Sequence, residues 1–115
     1  MTVHTKIRNM LSSIFKELDC WIYCPCDTMS PSGKFLVVEI KVGEDSLAAL
    51  QAKALTDIAS RKGISAVAKV CGNEFVFIFS YKKDNCINLD TLCRLPYPMG
   101  GLAKEALKNA LIKIL

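Results

Sequence analysis

The sequence contains a single histidine, His4, and no second paired cysteine cluster to accompany Cys20, Cys24 and Cys26. The C-x3-C-x-C spacing therefore lacks the ligand set of a structural zinc site. No apolar run approaches the roughly 18 residues that a membrane span needs, so no membrane partner is expected. No signal peptide is expected either. The N-terminus mixes His4, Lys6 and Arg8 with Met10, Leu11, Ile14 and Phe15 instead of presenting a cleavable apolar core. The expectation is an intracellular, cytoplasmic location. Repeats, linkers and low-complexity segments are also missing, so residues 1–115 are expected to form one domain.

What is present is a globular composition, 51% apolar and 23% charged, which excludes a disordered chain. Fifteen Lys and Arg stand against 11 acids, a net charge of +4. That excess is compatible with a polyanionic partner without specifying one. The remaining cysteines are Cys71, Cys86 and Cys93. Buried free thiols are one reading of the six; a Cys86–Cys93 loop disulfide is the other.

Residues 5–18 read as a helix, with Ile7, Met10, Leu11, Ile14, Phe15 and Leu18 at three- and four-residue spacing. Residues 21–29 read as a strand interrupted by Pro25, and Ser30-Pro31-Ser32-Gly33 as a turn. Residues 35–42 complete an antiparallel hairpin. Asp45 or Ser46 can cap a helix over 46–62 that stops at Gly63. Strands 65–71 and 74–81 follow, joined at Gly72-Asn73. A loop then holds Lys82, Lys83 and the last two cysteines, before a helix over 102–114. The apolar end of that helix, Leu111 to Leu115, suits either core packing or a dimer contact. The predicted order is α-β-β-α-β-β-α, an α/β fold with one central mixed β-sheet flanked by helices.

The strand Phe35–Val42 carries a conflict. Its period of two places Phe35, Val37, Glu39 and Lys41 on one face, and Leu36, Val38, Ile40 and Val42 on the other. A central strand covered by helices is apolar on both faces. Unpaired buried charge costs several kcal/mol, roughly. Either the strand leaves the sheet and its charges are wet, or something offsets them. Asp27, on the adjoining strand, is expected opposite or diagonal to Glu39, about 5–8 Å away. Two such carboxylates repel unless a cation lies between them, and Mg²⁺ accepts oxygen ligands of this kind. In the 46–62 helix, Gln51 falls inside the apolar stripe of Leu47, Leu50, Ala54 and Ile58, where a buried amide needs a partner. The helix begins just past Lys41, so Gln51 can reach the same place.

The arrangement D-x11-E-I-K on a hairpin, followed by a helix with an inward glutamine, resembles the PD-(D/E)xK nuclease superfamily. "GKFLVVEIKVGEDSLAALQAKALTDIASRKGISAVAKV" is similar to stand-alone VRR-NUC nucleases and to archaeal-type Holliday junction resolvases. The likeness covers about residues 5–80. It implies a restriction-endonuclease-like domain with Mg²⁺ or Mn²⁺ held by Asp27, Glu39 and the backbone carbonyl of Ile40. It further implies that Lys41 assists the water nucleophile and that Gln51 supports the site. The sequence departs from the pattern in two places. Pro25-Cys26-Asp27 stands where Pro-Asp is usual. Residues 1–16 hold no acid, which leaves Glu17, and more weakly His4, as the reserve metal ligand.

The resemblance thus implies a metal-dependent endonuclease acting on branched or junction DNA. Symmetrical cutting of a four-way junction needs two sites, hence a homodimer. Lys34, Lys53, Lys62, Lys69, Lys82, Lys83 and Arg8 are candidate contacts to the DNA backbone. Trp21, Tyr81 and Tyr97 are able to stack on bases, although core or interface packing is the commoner use of such residues. The alternative is a degenerate, non-catalytic nucleic-acid-binding or scaffold module on the same fold.

Overall fold

The computed structural model describes residues 1–23, 27–43 and 63–115. Among them are six strands and two helices: α1 (Val3–Glu17), β1 (Trp21–Ile22), β2 (Thr28–Met29), β3 (Phe35–Val42), β4 (Gly63–Cys71), β5 (Glu74–Lys83), β6 (Cys86–Pro96) and α2 (Gly101–Ile112). The strands form one mixed sheet in sequence order, β1-β2-β3-β4-β5-β6. Only β3 and β4 run parallel; all other neighbours are antiparallel. A parallel pair needs a crossover connection. The helix predicted over 46–62 falls in that connection and lies outside the described residues, together with Gln51, Lys53 and Lys62.

Both described helices cover the same face. Thr2 caps α1, its hydroxyl accepting the Thr5 N–H at 3.2 Å. The apolar stripe of α1, Ile7, Leu11, Ile14 and Phe15, then packs on Leu36, Val38 and Ile40 of β3. From α2, Leu107 and Leu111 join the same cluster, with Ala66, Ala68, Val70, Phe75 and Phe77 beneath. Ile114 and Leu115 also pack against it, so the apolar C-terminal end serves the core. Leu102 and Ile112 remain exposed. No helix among the described residues is long and apolar enough to cross a membrane.

Three expectations are corrected. The single strand over 21–29 is instead a hairpin of two short strands, pairing Trp21 with Met29 and Ile22 with Thr28. The loop after Tyr81 is instead the rest of β5, a two-residue turn and the long strand β6. Asp84 and Asn85 both take positive φ, 53° and 62°, the geometry of a type I′ hairpin turn. A Cys86–Cys93 disulfide does not form. Both cysteines are free and pair with Lys83 and Phe77 respectively, at separate points of one strand. Even with the bulge opposite Phe77/Ile78, seven residues of strand span about 20 Å, well beyond a disulfide's reach. Cys20 and Cys71 are also free. Burial is the main cause that pushes the Cys20 and Cys93 thiols above the ordinary range, so both stay protonated.

On the opposite face of the sheet, Ser65, Val67, Val76 and Ser80 are buried. Among the described residues the Ser80 hydroxyl has no hydrogen-bond partner. An unmade buried hydrogen bond is a cost, so Ser80→Ala should be neutral or stabilising by about 1 kcal/mol. Leu36→Ala, at the fully buried centre of the core, should cost about 2–5 kcal/mol. Urea unfolding of the two variants measures both, and a marked loss in Ser80→Ala would mean that its hydroxyl is satisfied.

Candidate functional site

The Ser30–Lys34 turn sets how Asp27 lies against β3. The Ser30 N–H donates to the Lys34 carbonyl at 2.8 Å, and the Ser30 hydroxyl accepts the Lys34 N–H at 3.0 Å. Gly33, at φ 90°, closes the turn by donating to the Ser30 carbonyl. Thr28 consequently pairs with Leu36, and Met29 with Phe35. One step further along the ladder, Asp27 faces Val37 and is diagonal to Glu39 on the same side of the sheet. That side is the one opposite α1 and α2.

Asp27 is half-buried, and its Oδ1 accepts the backbone N–H of Val38 at 3.3 Å. Its carboxyl titrates above the ordinary aspartate range. Burial is the largest cause; the Val38 hydrogen bond opposes it, and the nearby Glu39 charge adds to it. The Asp27 carboxyl therefore lies within the field of Glu39. Glu39 itself is exposed. The backbone groups of a strand point alternately to its two neighbours. The Lys34 carbonyl and the Val38 N–H both point toward β2, so the Ile40 carbonyl does so as well. It lies beyond the last β2–β3 pair, on the Asp27 side.

Lys41 follows on the Glu39 face, and the parallel register sets Lys69 directly beside it. Both are half-buried. Among the described residues neither makes an ion pair, and Glu39 and Lys41 do not pair with each other. The sheet thus brings together Asp27, Glu39, the Ile40 carbonyl, Lys41 and Lys69.

The other predicted residues lie elsewhere. Glu17 is on the helical side of the sheet, 3.4 Å from the Lys108 ammonium. Arg8 and His4 are also on α1. Lys34 precedes β3, and Lys82 and Lys83 end β5; all three are at the end of the sheet away from Lys41 and Lys69. Tyr81 donates to Asp90 at 2.7 Å, and Tyr97 packs against the core. Lys69 enters the site by register, through the pairing Lys41↔Lys69. Its strand was legible, but nothing in the sequence states which residues of two parallel strands stand abreast. A cavity of about 480 Å³ between α1 and α2 lies away from the acids, lined by Lys6, Met10, Glu17, Lys104 and Lys108 among others.

Among the described residues no cluster of three or more His, Cys, Asp or Glu side chains could hold a metal. That excludes a zinc-type ligand set there. It does not conflict with Mg²⁺, which is commonly bound through one or two carboxylates, with water and phosphate oxygens completing its shell. Asp27 and Glu39 fit such an ion. The Glu39 charge adds to the cost of ionising Asp27, and a divalent cation between them would relieve it.

The direction of the Asp27 shift has a consequence for stability. A carboxyl whose folded-state pKa exceeds its unfolded value favours the folded state when protonated. That contribution is full below the unfolded pKa and is lost as pH rises through the folded one. Asp27→Asn keeps an Oδ1 acceptor for Val38 and removes the charge. It should melt at or above wild type at pH 7–8, and the gap should close as pH falls through the Asp27 pKa. Thermal melts across pH check this, and a variant less stable than wild type at pH 7 would show ionised Asp27 to be a net stabiliser.

Compared with protein families, curated proteins and solved structures, the chain matches none.

Proposed function

We propose that the chain is a metal-dependent endonuclease that hydrolyses phosphodiester bonds in branched DNA, on a restriction-endonuclease-like fold of the PD-(D/E)xK type. The observation that carries this reading is the convergence of Asp27 and Glu39 on one sheet face, close enough for Glu39 to raise the Asp27 pKa. The Val38 hydrogen bond uses one oxygen of Asp27, and among the described residues Glu39, Lys41 and Lys69 form no ion pair. Two acids and two lysines so placed are what a divalent cation and a phosphate would need.

Asp27, Glu39 and the Ile40 carbonyl would hold Mg²⁺ or Mn²⁺. Once bound, the ion supplies Lewis-acid polarisation of the phosphate and lowers the pKa of a coordinated water. Lys41 is the residue that would donate to a non-bridging phosphate oxygen or orient the attacking water. Its neighbour Lys69 adds positive charge where the phosphate backbone runs on. Gln51 keeps its supporting role as an expectation. Glu17, paired with Lys108, has no part in this reading. Cleavage of both strands of a junction would use a two-fold homodimer, for which the exposed Leu102 and Ile112 of α2 are candidate contacts. The free cysteines suit a reducing, intracellular setting.

The non-catalytic reading has one observation in its favour: the described residues supply only two acids, without a third ligand side chain. Metal dependence separates the two. With Mg²⁺ or Mn²⁺ the protein should cut a synthetic four-way junction in preference to linear duplex. EDTA should abolish cutting, and Glu39→Ala or Asp27→Asn should reduce it by at least the roughly 10- to 100-fold that loss of an outer-shell partner of a metal costs. Junction binding that survives both substitutions, with no cleavage under either ion, would establish a binding module instead.

A further inference from the structure

Beside the acid pair lies a feature that the hydrolytic chemistry does not use. Trp21, the only tryptophan in the chain, is 71% exposed, and Tyr23 is 45% exposed. Both stand on β1 or its continuation, the edge of the sheet next to β2. Trp21 pairs with Met29, which pairs with Phe35, so Trp21 shares the Phe35–Glu39 face. The Tyr23 N–H donates to the Asp27 carbonyl at 2.7 Å, which places Tyr23 immediately beside Asp27. Its ring leans on Phe35, centroids 5.7 Å apart and planes at 56°. That contact props the ring, which is nonetheless exposed.

Along this face the order is Trp21, then Tyr23 with Asp27, then Glu39, then Lys41 with Lys69. Successive same-face residues of a strand are about 6.6 Å apart, so the track runs over roughly 20 Å. Its chemistry changes from aromatic to acidic to basic. A nucleic-acid strand presents π faces and phosphates side by side. Aromatic rings at one end and cations at the other fit such a strand in extended form. Bases locked in a duplex have their faces stacked on each other and cannot lie on a ring.

We infer that this face takes an unpaired DNA strand, one of whose bases stacks on Trp21 and Tyr23 while the phosphate beyond it reaches the Asp27–Glu39 pair. The inference rests on the proposed nuclease reading and names what that site selects: not the junction as a whole but the unpaired nucleotides at its branch. Trp21 and Tyr23 are positioning and specificity residues, and neither touches the reacting atoms.

The single tryptophan makes the test direct. Oligodeoxythymidine would be titrated into wild-type protein at low salt, with EDTA present so that metal-dependent cleavage does not compete. Saturable quenching of tryptophan emission is expected, weaker with fully paired duplex. Binding measured by anisotropy of a labelled strand should weaken about 5- to 150-fold in Trp21→Ala, the usual worth of one base–aromatic stack. Trp21→Phe should restore most of it. Tyr23→Ala should weaken binding while Trp21 is still quenched. Emission unchanged at saturating single strand, or equal binding by Trp21→Ala, would overturn the inference.

The two ideas fail separately. Metal-dependent cleavage without quenching removes the aromatic platform and leaves the nuclease. Quenching without cleavage under any divalent ion removes the nuclease and leaves an unpaired-strand binder.

Discussion

A carboxylate that sits within the field of another, and is half withdrawn from water, needs a reason to stay there. For Asp27 that reason is the Val38 amide. Its Oδ1 takes the N–H that a longer β2 would have taken, so the side chain extends a ladder whose backbone pairs number only two. The same bond fixes the carboxyl above the sheet on the Glu39 side. A slip of one residue in the β2–β3 register would move Asp27 to the face of Leu36 and Val38, into the apolar layer under α1. The Ser30–Lys34 turn is what prevents that slip. Register, turn and acid pair are therefore one constraint.

The parallel pairing of β3 and β4 adds the second half of the site. Lys41 and Lys69 become neighbours only because the two strands run the same way in this register. In sheets with parallel strands, the carboxyl ends of those strands are where ligands commonly bind, and Glu39, Lys41 and Lys69 all lie toward that end. The helices take the other face, where Leu36, Val38 and Ile40 meet α1. β3 thus divides its alternating residues between two tasks, core at Leu36, Val38 and Ile40 and polar chemistry at Glu39 and Lys41. Phe35 and Val37 show the transition. They belong to the polar face but are only half-buried.

β3 was legible because an eight-residue alternation bounded by two glycines admits few other readings, and its limits came out at Phe35 and Val42. The hairpin placement of Asp27 was legible for the same reason, since Ser30-Pro31-Ser32-Gly33 leaves little choice of turn. β6 was not read. Its mixture of Asn88, Asp90, Thr91 and Arg94 with Ile87, Leu89 and Leu95 has the composition of an exposed edge, which resembles a loop. The signal that could have found it was Asp84-Asn85, two residues that tolerate left-handed backbone between alternating segments. The hairpin within 21–29 was hidden because strands of two residues carry no periodicity. The spread of Lys34, Lys82 and Lys83 away from Lys41 was beyond the sequence altogether. Which end of a sheet a residue occupies depends on strand direction, and that is a property of the assembled topology.

On the proposed reading, the charges of the site would also set an order of events. Asp27 and Glu39 carry two negative charges, Lys41 and Lys69 two positive ones, and all four stand on one face. On the proposed nuclease reading, without a further ion the four would cancel, and an approaching phosphate would meet repulsion from the acids at the place of attack. A divalent cation between the acids would reverse this: the face would then carry a net charge of +2, at a site partly shielded from water where Coulomb interactions are several times stronger than in bulk. Attraction of the phosphate would thus be conditional on the metal, and the lysines alone could not supply it. The aromatic pair at the other end of the track is uncharged and does not depend on that condition. A base could rest on Trp21 before the ion arrives, so that capture of a strand and readiness to cut it would be separately controlled by neighbouring parts of one sheet face.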